Sequence, residues 1–144
     1  MTPGLIERLE AAGEGSPHLD RLIAIHLRIG ADKGEKLSVR RVSSIKSPYE
    51  LEVTDDDSCY WVESPSRRAR LLSAEPFTLS LDAALALADL VYPDGWLDLT
   101  ISNRTARASQ CFEGNRAYHG PRHASPAIAV CIAILKARAT QEQG

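Results

Sequence analysis

The chain has 144 residues, of which 44% are hydrophobic and 25% charged, and its formal net charge is -2. This composition is typical of one globular domain, with or without a helical appendage, and the slight negative charge argues against general nucleic-acid binding. Three cysteines with no close pair exclude a disulfide framework or a zinc ribbon. The sequence has no signal-peptide pattern and no run of roughly 18 apolar residues, which predicts a cytoplasmic protein without a membrane partner.

The N-terminal region contains two helix-start signals. Thr2-Pro3 and Ser16-Pro17 each place a small polar residue before proline, which suits the first positions of a helix. Apolar residues recur at helical spacing after both signals, and Gly30 is a candidate C-cap. We therefore expect a helical hairpin over residues 1–30, packed on a main domain of residues 31–144.

The middle of the chain has the pattern of strands. The segments "KLSVRRV", "YELEVTD" and "SCYWV" alternate apolar and polar residues or are rich in β-formers. Asp55–Asp57 would be a solvated turn between the last two. The polar stretch from Ser64 to Ala74, which contains three arginines, is predicted to be an exposed and mobile loop.

The second half begins with a capped helix. Ser80 precedes the apolar run "LDAALALADLV", and Pro93-Asp94-Gly95 ends it. The segments "WLDLTISN" and "RTARASQCF" then predict two strands of a hairpin, with Asn103 at its tip and Asp98 facing solvent. A polar loop follows.

The last helix has the strongest start signal in the chain. Ser125 is a predicted N-cap and Pro126 the first helical residue. From Ala127 to Leu135 nearly every residue is apolar, so this helix should be buried on more than one side. A second subunit could supply part of that cover, which predicts a homo-oligomer. Cys131, in the middle of the run, is predicted to be an inert core residue.

These elements together predict an α+β fold. We expect a two- or three-layer sandwich in which a mainly antiparallel sheet of about four or five strands is covered by the helices that begin after Ser80 and Ser125. The N-terminal hairpin would pack at one end of this sandwich.

The segments "FTLSLDAALALADLVYPDGWLDLTISN" and "HASPAIAVCIAILKARA" resemble a group of uncharacterised phage and prophage proteins, the phage alpha-beta-alpha sandwich domain group. The matching positions are Phe77 to Leu85, Gly95-Trp96 and Ala124 to Ala137. The segment "SPHLDRLIAIHLRI" is also similar to the start of such proteins. The resemblance implies a fold and a phage context, in a host cytoplasm, but no activity.

Motifs of common enzymes are absent from the sequence: there is no G-x-S-x-G, H-E-x-x-H, C-x-x-C or Walker loop. His119 and His123 have a spacing that would suit a metal on a helix, but Gly120-Pro121 lies between them, and only Cys111 could be recruited as a third ligand. We therefore predict two surface-loop histidines, no metal and no cofactor. His26 falls on the apolar side of its helix and is predicted to be a core or interface residue.

The region before the last helix is locally basic. Between Ile101 and Ala124 four arginines stand against one acid, Glu113, and the region ends at a capped helix N-terminus, which favours anions. Aromatic residues nearby could stack on a base. A phosphate-bearing ligand is one interpretation, and a solvated loop is the other. The residues predicted to bind the ligand are Trp96, Arg104, Arg107, Arg116, Tyr118, His119, Arg122 and Ser125.

Three functions are compatible with this sequence. The first is a non-catalytic phage accessory protein that sequesters an anionic, cyclic nucleotide signal of host defence. The second is an inhibitor that binds a host defence protein, such as a CRISPR effector. The third is a hydrolase of a phosphorylated signal, for which His119 would be the general base.

Overall fold

The computed structural model of the protein describes residues 4–38, 58–65 and 67–143. The fold is α+β, which confirms the predicted class. The described strands form two three-stranded antiparallel sheets instead of the one sheet of four or five strands that we expected. The elements are α1 (Leu5–Ala11), α2 (Pro17–His26), β1 (Lys36–Ser38), β2 (Cys59–Ser64), β3 (Arg67–Ser73), α3 (Leu81–Val91), β4 (Leu97–Ser102), β5 (Thr105–Glu113), β6 (Arg116–His119) and α4 (Pro126–Gln143).

Contacts divide the chain into two compact units. The first unit comprises Met1–Ser16 and Pro76–Gly144, and the second comprises Pro17–Glu75. Helices α1, α3 and α4 and strands β4–β6 therefore belong to the first unit, and α2 with β1–β3 to the second. The predicted boundary lay after residue 30, and the packing of a 1–30 hairpin on the main domain stays a prediction.

In the first unit, β5 is the central strand of the order β4-β5-β6. Asn103 and Arg104 connect β4 to β5 with φ of 51° and 65°, the left-handed backbone of a two-residue hairpin turn, so Asn103 lies at the tip as predicted. The polar loop expected after β5 is partly wrong, because Arg116–His119 forms strand β6 and pairs with β5. The turn at Gly114 (φ 54°) permits this second hairpin.

Helix α4 is the centre of the first unit. It contacts α1, α3 and the strands β4–β6, and every residue from Ala127 to Leu135 is buried. Its predicted start is confirmed, since the Ile128 N–H donates to Ser125 Oγ at 3.2 Å. The cover comes from elements of the same chain, so the apolar surface of α4 no longer argues for a second subunit.

In the second unit, β2 lies between β1 and β3. The prediction of an exposed loop from Ser64 to Ala74 is wrong, because Arg67–Ser73 forms strand β3 along β2. The polar side chains of this segment are the reason that the sequence predicted a loop instead of a strand. Two residues that are distant in the sequence hold the Arg70 side chain. Arg70 forms an ion pair of 3.1 Å with the buried carboxylate of Glu35 and donates to the Gly30 carbonyl at 3.0 Å.

Other predictions have mixed outcomes. Helix α2 begins at Pro17 as expected but ends at His26, and Gly30 adopts a φ of 81° four residues later. His26 is exposed, so the core alternative of its prediction as a core or interface residue is wrong, and the interface alternative stays a prediction. The Thr2-Pro3 start, the segment "YELEVTD" and the Asp55–Asp57 turn lie outside the described residues. In the ranges described, no helix is both long enough and apolar enough to cross a membrane.

Candidate functional site

The sheet of the first unit has one face toward α4 and one polar face. Residues of β5 alternate: Ala106, Ala108 and Gln110 are buried, and the residues between them are exposed or half-buried. Cross-strand partners share a face, so the register assigns the neighbouring side chains to each side. We define the polar face by Asp98, Thr100, Ser102, Thr105, Arg107, Ser109 and His119, together with Arg122, which contacts it.

Arg107 lies in the middle of the polar face. Its Nε donates a hydrogen bond of 2.9 Å to the carbonyl oxygen of Gly120, which fixes the direction of the side chain. The residue is exposed, and its remaining guanidinium N–H groups make no hydrogen bond to a described residue. An arginine held in this way presents a charged fork that matches the oxygens of a phosphate.

Arg122 joins the same face from the segment before α4. Its Nη1 donates to Thr105 Oγ1 at 3.2 Å, and the residue is exposed. Thr105 and Arg107 are two residues apart on one strand, hence separated by about 7 Å along the sheet. The β5 register therefore brings two anchored arginines close together although 15 positions separate them in the sequence.

His119 stands beside these arginines, on β6. Its Nδ1 lies 2.9 Å from Ser109 Oγ, within hydrogen-bonding distance. Asp98 pairs with Ser109 from the other side and is the acid among the residues that define the polar face. It is exposed, as expected, and forms no ion pair with a described residue. The polar face thus has two arginines, a histidine and several hydroxyl groups against one carboxylate.

The remaining arginines of the predicted site are not part of this cluster. Arg104 is exposed in the β4–β5 turn, at one end of the polar face. Arg116 lies at the other end of the sheet, where its Nη1 is 3.7 Å from Glu113 Oε2 and both side chains are largely exposed. Its charge is partly balanced by this neighbour, so it adds little to the field at Arg107.

The two aromatic residues of the predicted site lie away from the arginine pair of the polar face. Tyr118 pairs with Gln110 and so belongs to the α4 side of the sheet; burial and the nearby Glu10 carboxylate raise its pKa. Trp96 is 48% exposed and precedes β4. The Tyr118 ring therefore cannot stack on a base that is held by the polar-face arginines, and Trp96 lies four residues, about 13 Å along the strand, from Thr100, the partner of Arg107.

At the start of α4, the hydroxyl and the backbone N–H of Ser125 have hydrogen-bond partners within the chain. Ser125 Oγ accepts the Ile128 N–H, and the Ser125 N–H donates to His123 Nδ1 at 2.9 Å. His123 is only 9% exposed, so its prediction as a surface histidine is wrong. Its position two residues before a predicted N-cap was the available signal for this structural role.

A cavity of about 340 Å³ lies elsewhere in the first unit, between the Pro93–Gly95 turn and the end of β5. Aromatic residues Tyr92, Trp96 and Phe112 and the acids Asp94 and Glu113 line it. Two carboxylates and aromatic rings disfavour an anion, so this cavity is not part of the phosphate-binding hypothesis. Among the residues described, no group of three or more His, Cys, Asp or Glu residues could hold a metal ion.

Comparisons with protein-family models, with curated proteins and with solved structures return no match to this chain. The phage resemblance seen in the sequence therefore stays a prediction.

Proposed function

We propose that this chain is a non-catalytic binding protein that holds a phosphate-bearing ligand on the polar face. The observation that carries the proposal is the pair Arg107 and Arg122, two exposed residues that are each anchored by one hydrogen bond. In the phage context that the sequence resemblance implies, the ligand would be a cyclic nucleotide signal of host defence, and binding would sequester it.

The chemistry of the face sets the expected affinity. A charge-assisted hydrogen bond contributes about 1.5–3 kcal/mol when it is partly desolvated. Two such bonds without aromatic stacking give a dissociation constant in the high micromolar to millimolar range. Thr100 adds a hydroxyl group that can donate to a further phosphate oxygen, whereas the Thr105 hydroxyl already donates to the Ser102 carbonyl at 2.9 Å. A ligand with two phosphates, which engages both arginines, should bind more tightly than one with a single phosphate.

A hydrolase is a second candidate because Ser109 and His119 lie at hydrogen-bonding distance. A nucleophile and base of this kind normally include a third group that orients the base. No described residue makes a hydrogen bond to Nε2 of His119, and both side chains lie on an open sheet surface. Binding without turnover therefore agrees better with this geometry.

A protein inhibitor is a third candidate. Leu90 and Trp96 are 64% and 48% exposed, and Val91 and Trp96 line the aromatic cavity. Exposed apolar side chains next to a concave surface are typical of protein-binding sites. Loss of a protein partner with Trp96→Ala, at unchanged nucleotide binding, would favour this function.

The test of the proposal is a binding assay with defined probes. Pyrophosphate, a panel of cyclic di- and trinucleotides, and ADP-ribose derivatives are equilibrated with the protein, and the bound molecule is recovered after heat denaturation. Arg107→Gln with Arg122→Gln should weaken binding at least tenfold. Arg116→Gln is the matched control and should bind like the parent.

Each result has a distinct meaning. Recovery of the intact probe from the parent, with loss in the double variant, supports the polar face as a binding site. Recovery of a cleaved probe that depends on His119 supports the hydrolase. Equal affinity of the parent and the double variant would show that the anchored arginines do not form the site.

A further inference from the structure

Strand β4 forms one edge of its sheet. Its two-residue turn makes Ser102 and Thr105 a hydrogen-bonded pair, and at the other end the Cys111 N–H donates to the Trp96 carbonyl at 2.9 Å. Because hydrogen-bonded pairs alternate along an antiparallel ladder, Leu97, Leu99 and Ile101 direct their N–H and C=O groups away from β5. In the described part of the chain, no strand pairs with this edge.

The same three residues leave apolar surface at this edge. Their side chains lie on the α4 side of the sheet, but α4 packs mainly over β5, so Ile101 is 59% exposed and Leu97 and Leu99 are half-buried. Edge strands of protein sheets are usually protected from pairing with other chains by lysine, proline, a bulge or covering elements. The segment from Leu97 to Ser102 has no lysine or proline, and the described β4–β5 register has no bulge.

We propose that β4 pairs with β4 of a second copy of this chain, antiparallel and around a twofold axis at Leu99. Leu99 then faces Leu99 of the other copy, and Leu97 faces Ile101. These are hydrogen-bonded pairs, in which each residue gives and accepts one backbone bond. The result is a continuous six-stranded sheet made from two three-stranded sheets.

The occupant is a second copy because the strand is complementary to itself. The alternation of apolar and polar residues along β4 is symmetric about Leu99, with apolar residues at Leu97, Leu99 and Ile101. With the axis at Leu99, Asp98 of one copy lies opposite Thr100 of the other. Moving the axis to residue 98 would oppose two aspartates, which is destabilising, and would remove the partner of Ile101. Moving it to residue 100 would leave Leu97 opposite the β4–β5 turn.

The first test is the oligomeric state, measured by light scattering and sedimentation at increasing concentration. The parent should be a dimer at high micromolar concentration. Ile101→Lys should raise the dimer dissociation constant more than tenfold, because the partner's apolar edge would face an ammonium group. Leu90→Lys is the matched control, since Leu90 is equally exposed but lies on α3, and it should dimerise like the parent.

The second test reads the register. In a Cys59→Ser background, Leu99→Cys should form an intermolecular disulfide under mild oxidation, because directly paired Cα atoms are about 5.5 Å apart. Ile101→Cys should not, since its two copies would be about 14 Å apart. A strict monomer, a dimer that Ile101→Lys leaves intact, or cross-linking through residue 101 instead of residue 99 would each overturn the proposal.

Discussion

The imidazole of His123 lies 2.8 Å from the carbonyl oxygen of Ala12, through its Nε2. Its Nδ1 accepts a hydrogen bond from the Ser125 N–H, so Nε2 carries the proton and donates to Ala12. The His123 backbone also exchanges bonds of 2.7 and 2.8 Å with Ala106. One residue thereby connects the end of α1, strand β5 and the start of α4.

Removing this imidazole should weaken the first unit. We expect His123→Ala to lower the free energy of unfolding by about 2–4 kcal/mol, since it leaves the Ala12 carbonyl and the Ser125 N–H without their partner. His119→Ala, at an exposed position, should change it by less than about 0.5 kcal/mol. Denaturant unfolding measures both. Similar values for the two variants would contradict a structural role for His123.

Gly15 is required by close packing against Thr78. The Thr78 hydroxyl accepts from the Ser16 N–H at 3.0 Å and donates to the Ser16 carbonyl, and a Cβ at Gly15 would collide with the Thr78 carbonyl. Gly15→Ala should therefore destabilise the protein by about 1–3 kcal/mol. A Cβ at Gly13 meets open space, so Gly13→Ala should be neutral or slightly stabilising. Thermal unfolding of the two variants compares them directly, and equal melting temperatures would refute the packing argument.

Cys131 should be unreactive in the native protein. It is 0% exposed, and its Sγ–H donates to the Phe77 carbonyl at 3.4 Å. Thiol labelling at neutral pH should modify the half-buried Cys59 first and Cys131 only after unfolding. Mass spectrometry of the labelled peptides gives the order. Rapid native labelling of Cys131 would mean that α4 opens readily.

Tyr60 predicts a loss of stability at high pH. Burial raises the pKa of its hydroxyl above the ordinary value of 10.0, and the hydroxyl donates to the Ile29 carbonyl at 2.7 Å. Below pH 10 this contribution is complete; above it the unfolded chain loses a proton that the folded chain retains, so stability falls as the pH rises. Tyr60→Phe should show a smaller decrease between pH 9 and 11, measured by urea unfolding. An unchanged pH profile would contradict this assignment.

Features that depend on residues close in the sequence could be predicted from it. The N-caps at Ser80 and Ser125 and the turn at Asn103 follow from short-range preferences and are confirmed. Features that depend on partners distant in the sequence could not. Strand β3 depends in part on Glu35, and the burial of His123 depends on Ala12, 111 positions away.

The candidate site, too, could be predicted from the sequence only in part. The local excess of arginine was visible in the sequence, but only the register of β5 and β6 separates Arg107 and Arg122 from Arg116 and from Tyr118. Strand pairing, unlike a helix cap, is fixed by the whole sheet. For this reason the sequence located the basic region without identifying which of its members share a surface.

The most direct test of the polar-face site is an NMR titration of the uniformly ¹⁵N-labelled protein with pyrophosphate and then with a cyclic dinucleotide. The largest chemical-shift changes should lie at Thr105, Arg107 and His119 and at the side chains of Arg107 and Arg122. They should saturate with a dissociation constant in the high micromolar to millimolar range. Shifts concentrated at Asp94, Trp96 and Glu113, or an unchanged polar face at saturating ligand, would contradict the proposed function.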